Sequence, residues 1–184
     1  MPLGVHLMLR VLGHTMIRED IVIQGVTYRL SHLNPFAVPV TPKVEGAPTF
    51  AMRVSFGLHT FSKEWDASYP THHKIREGSE DRCFCPIRHE HSLHLPRIIK
   101  QSVTGKVFFS QNHNYLIAEG LEGLNAPYAV FFKVETAKSR DFDVVMFVVS
   151  AYPKPNLPKN LDKITFATLV AKTARGEAIK RPKK

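Results

Sequence analysis

DFDVVMFVVSAY, residues 141–152, carries the strongest strand signal in the chain and decides the fold class. Its apolar side chains would point to both faces of a strand, with Val144, Met146 and Val148 on one face and Val145, Phe147 and Val149 on the other. A strand that is apolar on both faces is typical of a central position in a sheet that is covered on both faces. We therefore predict a sheet that extends outward from this strand.

Several other segments show the two-residue alternation or the β-branched content of strands. They are IVIQGVTYRL (21–30, two short strands meeting at Gly25), TFAMRVSFGLHTFS (49–62), RCFCP (82–86), KVFFS (106–110), YLIAEG (115–120), YAVFFKVETAK (128–138) and KITFATLVAK (163–172). Two segments predict loops instead: residues 34–48 contain four prolines, and residues 63–81 are polar and without a period.

One helix is predicted in LHLPRIIKQSV, residues 93–103. Ser92 is its expected cap, Pro96 suits the first turn, and Gly105 follows its end. The pattern as a whole indicates an α+β fold: a single domain with a meandering antiparallel sheet of about six or seven strands and one main helix packed on it.

Composition limits the class of protein. With 184 residues, 43% hydrophobic and 22% charged, the chain fits one soluble domain. We predict a poorly patterned leader at residues 1–15, the domain at 16–172 and a basic tail at 173–184. Cys83 and Cys85 lie too close in sequence for an unstrained disulfide, and such sparse cysteine use is typical of the cytoplasm. No run approaches the roughly 20 apolar residues of a membrane helix, so no membrane partner is expected.

The net charge of +9 points to polyanionic partners. Residues 172–184 hold six Lys or Arg against one Glu, so much of the excess lies in the tail. RCFCPIRHEHSLHLPRIIK, residues 82–100, concentrates further cations, and the predicted nucleic-acid-binding residues are Arg82, Arg88, Arg97 and Lys100. An amphipathic helix with its basic residues outside accounts for part of the same pattern. RNA is favoured over DNA as the partner.

The same stretch contains zinc-type donors, namely Cys83, Cys85, His89, His91 and His94. Against zinc, the paired Cys-x-x-Cys spacing is absent, and His91 and His94 would have to face the cysteines across a strand-to-helix corner. We therefore predict no metal and no other cofactor, and zinc at Cys83 and Cys85 is the alternative that stays open.

An enzymatic interpretation is metal-independent RNA cleavage, which needs a base, a cation for the phosphorane charge and a proton donor. The candidate catalytic residues are His59, His89, Ser150 and Tyr152, with Arg82 or Arg88 as the cation. Ten histidines in one chain make such groupings frequent by chance. A non-catalytic nucleic-acid or protein-interaction module that modulates host physiology is the alternative.

The order of five segments resembles a family of plasmid and prophage proteins often labelled stationary phase growth adaptation protein. The segments are IVIQGVTYRLSHLNP, FGLHTF, RCFCPIRHEHSLHLPRII, YAVFFKV and MFVVSAYP, within residues 21–180. The resemblance implies a mobile-element origin. An antitoxin or a host protein is a further candidate partner. FVVSAYP is also similar to the last core strand of barnase, EndoU, colicin and RelE-like ribonuclease toxins, where a Ser or Thr and a Tyr close the active site. That likeness implies roles for Ser150 and Tyr152.

Overall fold

The apolar run that ends at residue 153 forms an interior strand of a seven-stranded sheet. A computed structural model describes residues 5–6, 9–12, 15–110, 115–158 and 160–181, with the backbone alone before Ile17. Within those residues the α+β class, the single domain and the upper strand count of the prediction are confirmed.

In the described part of the chain the strands are, in order, β1 (Val5–His6), β2 (Leu9–Leu12), β3 (Thr15–Arg18), β4 (Ile21–Ile23), β5 (Val26–Tyr28), β6 (Phe36–Val40), β7 (Phe50–His59), β8 (Ser62–Glu64), β9 (Lys74–Glu77), β10 (Glu80–Phe84), β11 (Lys106–Phe109), β12 (Tyr115–Glu119), β13 (Tyr128–Thr136), β14 (Val144–Pro153) and β15 (Lys163–Thr165). The helices are α1 (Pro86–Ser92), α2 (Leu95–Ser102) and α3 (Phe166–Ala174), and 3₁₀ turns lie at Ser31–Leu33 and Thr71–His73.

The main sheet is mixed, so the prediction of a purely antiparallel sheet is wrong. Its strand order is β15-β11-β12-β13-β14-β7-β6, and β14 runs parallel to β7, with Val144 beside Met52 and Val148 beside Phe56. The other neighbouring pairs in this sheet are antiparallel. A long connection separates β7 from β14, and a connection of that kind allows two neighbouring strands to run in the same direction.

A second sheet lies in a region predicted to be an exposed loop. Its order is β1-β9-β10-β8, so residues 63–81 supply much of it. The segment gives little strand signal because only Ile75 of β9 is buried, while Lys74 and Arg76 form ion pairs with Asp81. The predicted hairpin at Gly25 is confirmed, with β4 and β5 joined through Gln24 and Gly25 at positive φ.

The proline-rich stretch at residues 34–48 was predicted to be a loop, yet it contains β6. Pro39 lies in this strand opposite Ala51 of β7, at the edge of the sheet. An edge strand tolerates proline because one side of its backbone has no ladder to complete. Val38 and Val40 of the same strand are buried, and their packing holds the strand in place.

The main helical segment begins earlier than predicted, at Pro86, and is divided into α1 and α2. Pro96 causes the division, since a proline inside a helix lacks the N–H that would bond the preceding turn and its ring clashes there. Ser92 is therefore not the cap of a new helix. It is buried in α1, where its Oγ donates to the carbonyl oxygen of His89 and lies 2.7 Å from His32 Nε2.

Two expectations about the last core strands are also wrong. KITFATLVAK forms a strand only at β15, and α3 follows because Phe166, Leu169, Val170 and Thr173 bury one helical face. Thr165 caps α3 by accepting a hydrogen bond from the Thr168 amide. On one face of β14, Val144, Met146 and Val148 are buried. On the other face Phe147 is 42% exposed, so β14 is not covered on both faces.

The ends of the chain are described in part. The predicted leader contains β1 and β2, whereas residues 1–4, 7–8 and 13–14 lie outside the described residues. After α3 the chain continues through Ile179, which packs against the core, to Arg181, and residues 182–184 lie outside the described residues. Over the described part, no helix has the length and apolar character needed to cross a membrane.

Candidate functional site

Arg88 joins the first helix to the end of the interior strand. It projects from α1, and its Nη1 donates to the carbonyl oxygen of Ser62 at 2.6 Å and, more weakly, to that of His59 at 3.4 Å. The guanidinium carbon lies 5.3 Å from the centre of the Tyr152 ring. This distance is in the range of a cation–π contact, so Arg88 places a positive charge directly beside an aromatic side chain.

Arg82 shares the Ser62 carbonyl oxygen with Arg88 and is largely buried. It projects from β10, and its Nε and Nη2 donate to Ser62 Oγ and to the Ser62 carbonyl oxygen, at 3.2 and 3.4 Å. Its Nη1 donates to Glu80 Oε1 at 3.3 Å. Burial lowers the pKa of Arg82, Glu80 opposes that shift, and neighbouring Arg88 adds to it. Arg82 is thus a supporting cation whose charge is partly balanced by a carboxylate.

His59 completes this hydrogen-bonded group at the end of β7. Its Nε2 lies 2.7 Å from Glu80 Oε1, the same oxygen that accepts from Arg82. The imidazole is about 38% exposed, so solvent and ligands can reach it. Ser150 of β14 is the backbone partner of His59 across the parallel pair, next to an irregularity in the register. The structure therefore brings His59 and Ser150, two of the predicted catalytic residues, close together.

Tyr152 is the aromatic centre of the group. Its ring stacks on Phe131 of β13, with centroids 5.4 Å apart and planes at 26°. Lys154 Nζ lies 5.9 Å from the ring centre, so a second cation accompanies Arg88. We call His59, Arg82, Arg88, Ser150 and Tyr152 the Tyr152 cluster. It combines a partly exposed tyrosine side chain with positive charge and an imidazole held by a carboxylate.

His89, although next to Arg88 in sequence, faces elsewhere. Its Nε2 lies 2.9 Å from the carbonyl oxygen of Arg29, and its ring makes edge contacts with Tyr28 and His32. Consecutive residues of a helix point in directions about 100° apart, which explains the separation. The two histidines of the predicted catalytic set are therefore not brought together.

Arg97 and Lys100 are exposed on α2. Arg97 donates to Gln101 of its own helix at 2.7 Å. Lys100 Nζ lies 5.2 Å from the Phe36 ring centre, on edge strand β6, which is two strands away from β14. The four predicted nucleic-acid-binding residues are thus divided between the Tyr152 cluster and α2.

The two cysteines lie beside the cluster without forming a donor set. Cys83 is buried and its Sγ lies 3.5 Å from the Phe84 carbonyl oxygen. Burial raises the pKa of the Cys83 thiol, which disfavours the thiolate that metals require. No group of three or more His, Cys, Asp and Glu side chains in the described ranges is arranged to hold a metal ion.

His91 of α1 contacts the buried Tyr128 of β13. The rings of His91 and Tyr128 meet edge to face, with centroids 5.9 Å apart. His91 Nδ1 and Tyr128 Oη are both buried, and neither has a hydrogen-bond partner among the described residues. Burial raises the pKa of Tyr128, against the opposing effect of the Arg88 charge, and it lowers the pKa of His91.

Sequence reasoning missed Ser62, Glu80, Phe131 and Lys154. Lys154 had a usable signal, because it follows Ser150 and Tyr152 at the two-residue spacing of a strand. Ser62 and Glu80 had none, since their roles depend on β8 and β10, which were predicted in part as loop. Phe131 reaches Tyr152 only through the pairing of β13 with β14.

The chain belongs to the YjaZ family, whose model matches residues 20–174. The match covers the main sheet from before β6 to the end of α3 and includes the whole Tyr152 cluster. It supplies neither the stationary-phase description nor a likeness to ribonuclease toxins, and both stay predictions from the sequence. No curated protein and no solved structure matches the chain.

Proposed function

We propose that this YjaZ-family protein binds single-stranded RNA through the Tyr152 cluster. The observation that carries the proposal is the flanking of one aromatic ring by Arg88 and Lys154, 5.3 and 5.9 Å from its centre. An aromatic face accepts an unpaired base by stacking, and adjacent cations accept its phosphates.

The stacking partner of Tyr152 supports the proposal further. Phe131 holds the tyrosine ring from beneath, so the ring loses little freedom when a base stacks on it. Unstacked bases are the usual target of sequence-tolerant RNA recognition, because RNA presents them in loops and at strand ends. A duplex buries the faces of its bases and would leave the tyrosine without a partner.

Binding of a fluorescently labelled oligoribonucleotide, followed by anisotropy, tests the proposal. Replacing Tyr152 by Leu keeps an apolar side chain on Phe131 but removes the aromatic face, and we expect affinity to fall by roughly 5- to 100-fold. Arg97→Ala, which removes a positive charge outside the cluster, is the control for general electrostatic attraction and should change affinity by less than about threefold.

Two outcomes would contradict the proposal. One is equal loss in Tyr152→Leu and Arg97→Ala, which would indicate unspecific attraction to a basic protein. The other is tighter binding of duplex RNA than of the single strand. A labelled DNA strand of the same sequence tests the preference for RNA.

A catalytic form of the proposal rests on His59, whose Nε2 lies 2.7 Å from Glu80 beside two guanidinium groups. In this form His59 takes the proton of a ribose 2′-hydroxyl, and the oxygen attacks the adjacent phosphorus. The bond to the 5′-oxygen breaks as Tyr152 donates a proton to it, leaving a 2′,3′-cyclic phosphate. Arg88 stabilises the charge on the phosphorane.

Incubation of RNA with the protein and a chelator separates the two forms. Cleavage with cyclic-phosphate ends, lost in His59→Gln and retained in His89→Gln, would support catalysis. RNA that is bound but intact after hours would refute it and leave the non-catalytic binding module.

A further inference from the structure

A cavity of about 400 Å³ opens on one side of Tyr152, between the end of β14, strand β11 and the last described residues. Phe109, Phe131 and Tyr152 form aromatic parts of its wall, and Lys154, Asn156 and Arg181 supply polar groups. Its volume falls in the range of about 300–1,000 Å³ that is typical of small-molecule sites. The cavity and the Tyr152 cluster share the tyrosine ring.

The aromatic wall has two parts. Phe131 and Tyr152 stack on each other, and Phe109, which is largely buried and packs on Tyr115, contributes the rest. A flat, aromatic ligand suits such a wall, because offset stacking contributes beyond the burial of apolar area.

The charges of the cavity all have one sign. Lys154 Nζ lies 5.9 Å from the Tyr152 ring centre and Arg181 Cζ lies 5.6 Å from that of Phe109. Arg181 also donates to the carbonyl oxygen of Ser110, which holds the C-terminal segment against the cavity. No carboxylate belongs to the cavity wall in the described residues, and neither cation forms an ion pair there.

We propose that this cavity binds one nucleotide that carries a phosphate monoester, with the base on the aromatic wall and the phosphate between Lys154 and Arg181. The inference rests on the proposed function and names the part of the RNA that it recognises, namely a phosphorylated strand end. A free nucleoside monophosphate has the same chemistry. Two cations without a carboxylate favour a dianion, and a guanidinium can bind phosphate oxygens in bidentate fashion.

The C-terminal segment acquires a role in this arrangement. Residues 175–181 follow α3, with Ile179 packed against the core and Arg181 at the rim of the cavity. Their position makes Arg181 a specific ligand-binding residue. Lys180, its exposed neighbour, is not part of the cavity wall and provides a matched control.

Isothermal titration of the full chain with AMP, adenosine and inorganic phosphate tests the nucleotide chemistry. We expect AMP to bind more tightly than either fragment, and Arg181→Ala to weaken AMP binding by at least about tenfold. Lys180→Ala should change it by less than about twofold. Phosphate that binds as tightly as AMP, or equal losses in the two variants, would overturn the inference.

Anisotropy with 5′-phosphorylated and 5′-hydroxyl forms of one oligoribonucleotide distinguishes the source of the ligand. Preference for the phosphorylated form that disappears in Arg181→Ala would support recognition of strand ends. Strong RNA binding without any response to AMP or to the 5′-phosphate would overturn the inference while leaving the proposed function intact. AMP binding with the expected Arg181 dependence, in a protein that does not bind RNA, would refute the proposed function and support a free-nucleotide site.

Discussion

The guanidinium of Arg88 and the ring of Tyr152 lie 5.3 Å apart and join helix α1 to the end of strand β14. The same guanidinium donates to the Ser62 and His59 carbonyl oxygens, so one side chain links four elements, namely α1, β7, β8 and β14. Arg88 therefore has a structural role as well as the binding role proposed for it.

Replacement of Arg88 by Met should lower the free energy of unfolding by about 1–3 kcal/mol. The variant loses a short hydrogen bond from a charged donor and a cation–π contact while keeping most of the apolar stem. Urea unfolding followed by circular dichroism measures the change. Arg97→Met, on the exposed face of α2, should stay within about 0.5 kcal/mol of wild type; equal losses in the two variants would refute the linking role of Arg88.

Removal of the Lys154 charge should reduce the salt dependence of RNA binding. If its ammonium neutralises one phosphate, the slope of log K against log salt should become shallower by about 0.7 in Lys154→Ala. Lys133→Ala, which removes an exposed lysine from β13, is the control and should leave the slope unchanged. Anisotropy titrations over a series of salt concentrations provide the slopes.

Stability should fall as the pH drops from about 6.5 toward 4, because of His32. Burial, with a smaller contribution from His89, lowers the pKa of His32 from 6.5 to about 4. The unfolded chain then binds a proton that the folded chain does not, so the stabilisation is complete above pH 6.5 and is lost through this window. Thermal unfolding at several pH values measures the effect.

His32→Gln is the control for this pH dependence. Glutamine keeps a hydrogen-bonding group near Ser92 but does not titrate, so its stability profile should be flatter than that of wild type between pH 6.5 and 4. Burial also lowers the pKa of His91, whose contribution has the same sign and remains in both proteins. The pKa values of Asp66 and Asp81 are lowered from 3.8, so these groups add a loss of the same sign at the acid end of the window in both proteins. Parallel profiles for the two proteins would contradict the assignment to His32.

Gly57→Ala should destabilise the protein by about 1–3 kcal/mol, the usual cost of overpacking. A Cβ at this position would lie 3.0 Å from the Phe147 ring and 3.2 Å from the Val149 carbonyl oxygen of the neighbouring strand. The ring can move because it is partly exposed, whereas the backbone oxygen belongs to the β14 ladder. Gly120→Ala, where a Cβ meets nothing within 4 Å, is the control and should be neutral within about 0.5 kcal/mol.

Tyr128→Phe should leave stability unchanged or raise it by up to about 2 kcal/mol. The buried hydroxyl has no hydrogen-bond partner in the described residues, so folding takes it out of water without compensation. Removing the hydroxyl removes this cost. Thr60→Val is the contrast, since its buried hydroxyl donates to the Gly57 carbonyl oxygen at 2.7 Å and should cost about 1 kcal/mol. A clear loss of stability in Tyr128→Phe would reveal a partner for the hydroxyl.

Local sequence patterns predicted the strands and turns that hydrophobic alternation or turn-forming residues mark directly. The strand at residues 50–59 alternates buried and half-buried side chains over most of its length, as its sequence indicated. The turn at Gln24 and Gly25 was readable because glycine accepts the positive φ that it adopts there. Where the strand pattern was weak, as in β6 and β9, a few buried residues and neighbouring strands hold the backbone extended.

The helices were harder to delimit for an equally local reason. The apolar residues of Phe166–Ala174 fit both the two-residue spacing of a strand and the spacing of a helix, so the sequence alone does not distinguish the two. Packing of Phe166 on Phe132, with ring centroids 5.8 Å apart, selects the helix. Pro86 and Pro96, each of which suits a helix start, explain why the main helical segment is divided in two.

The sequence by itself determined the α+β class, the interior strand that ends in Tyr152 and the excess of positive charge, because alternation and composition are properties of the chain alone. Only the tertiary structure decided that β14 runs parallel to β7, that Arg88 meets Tyr152 and that Arg97 and Lys100 lie elsewhere. Pairing of distant strands and the direction of a side chain on a helix depend on which surfaces are buried together. Burial of that kind is a property of the assembled core.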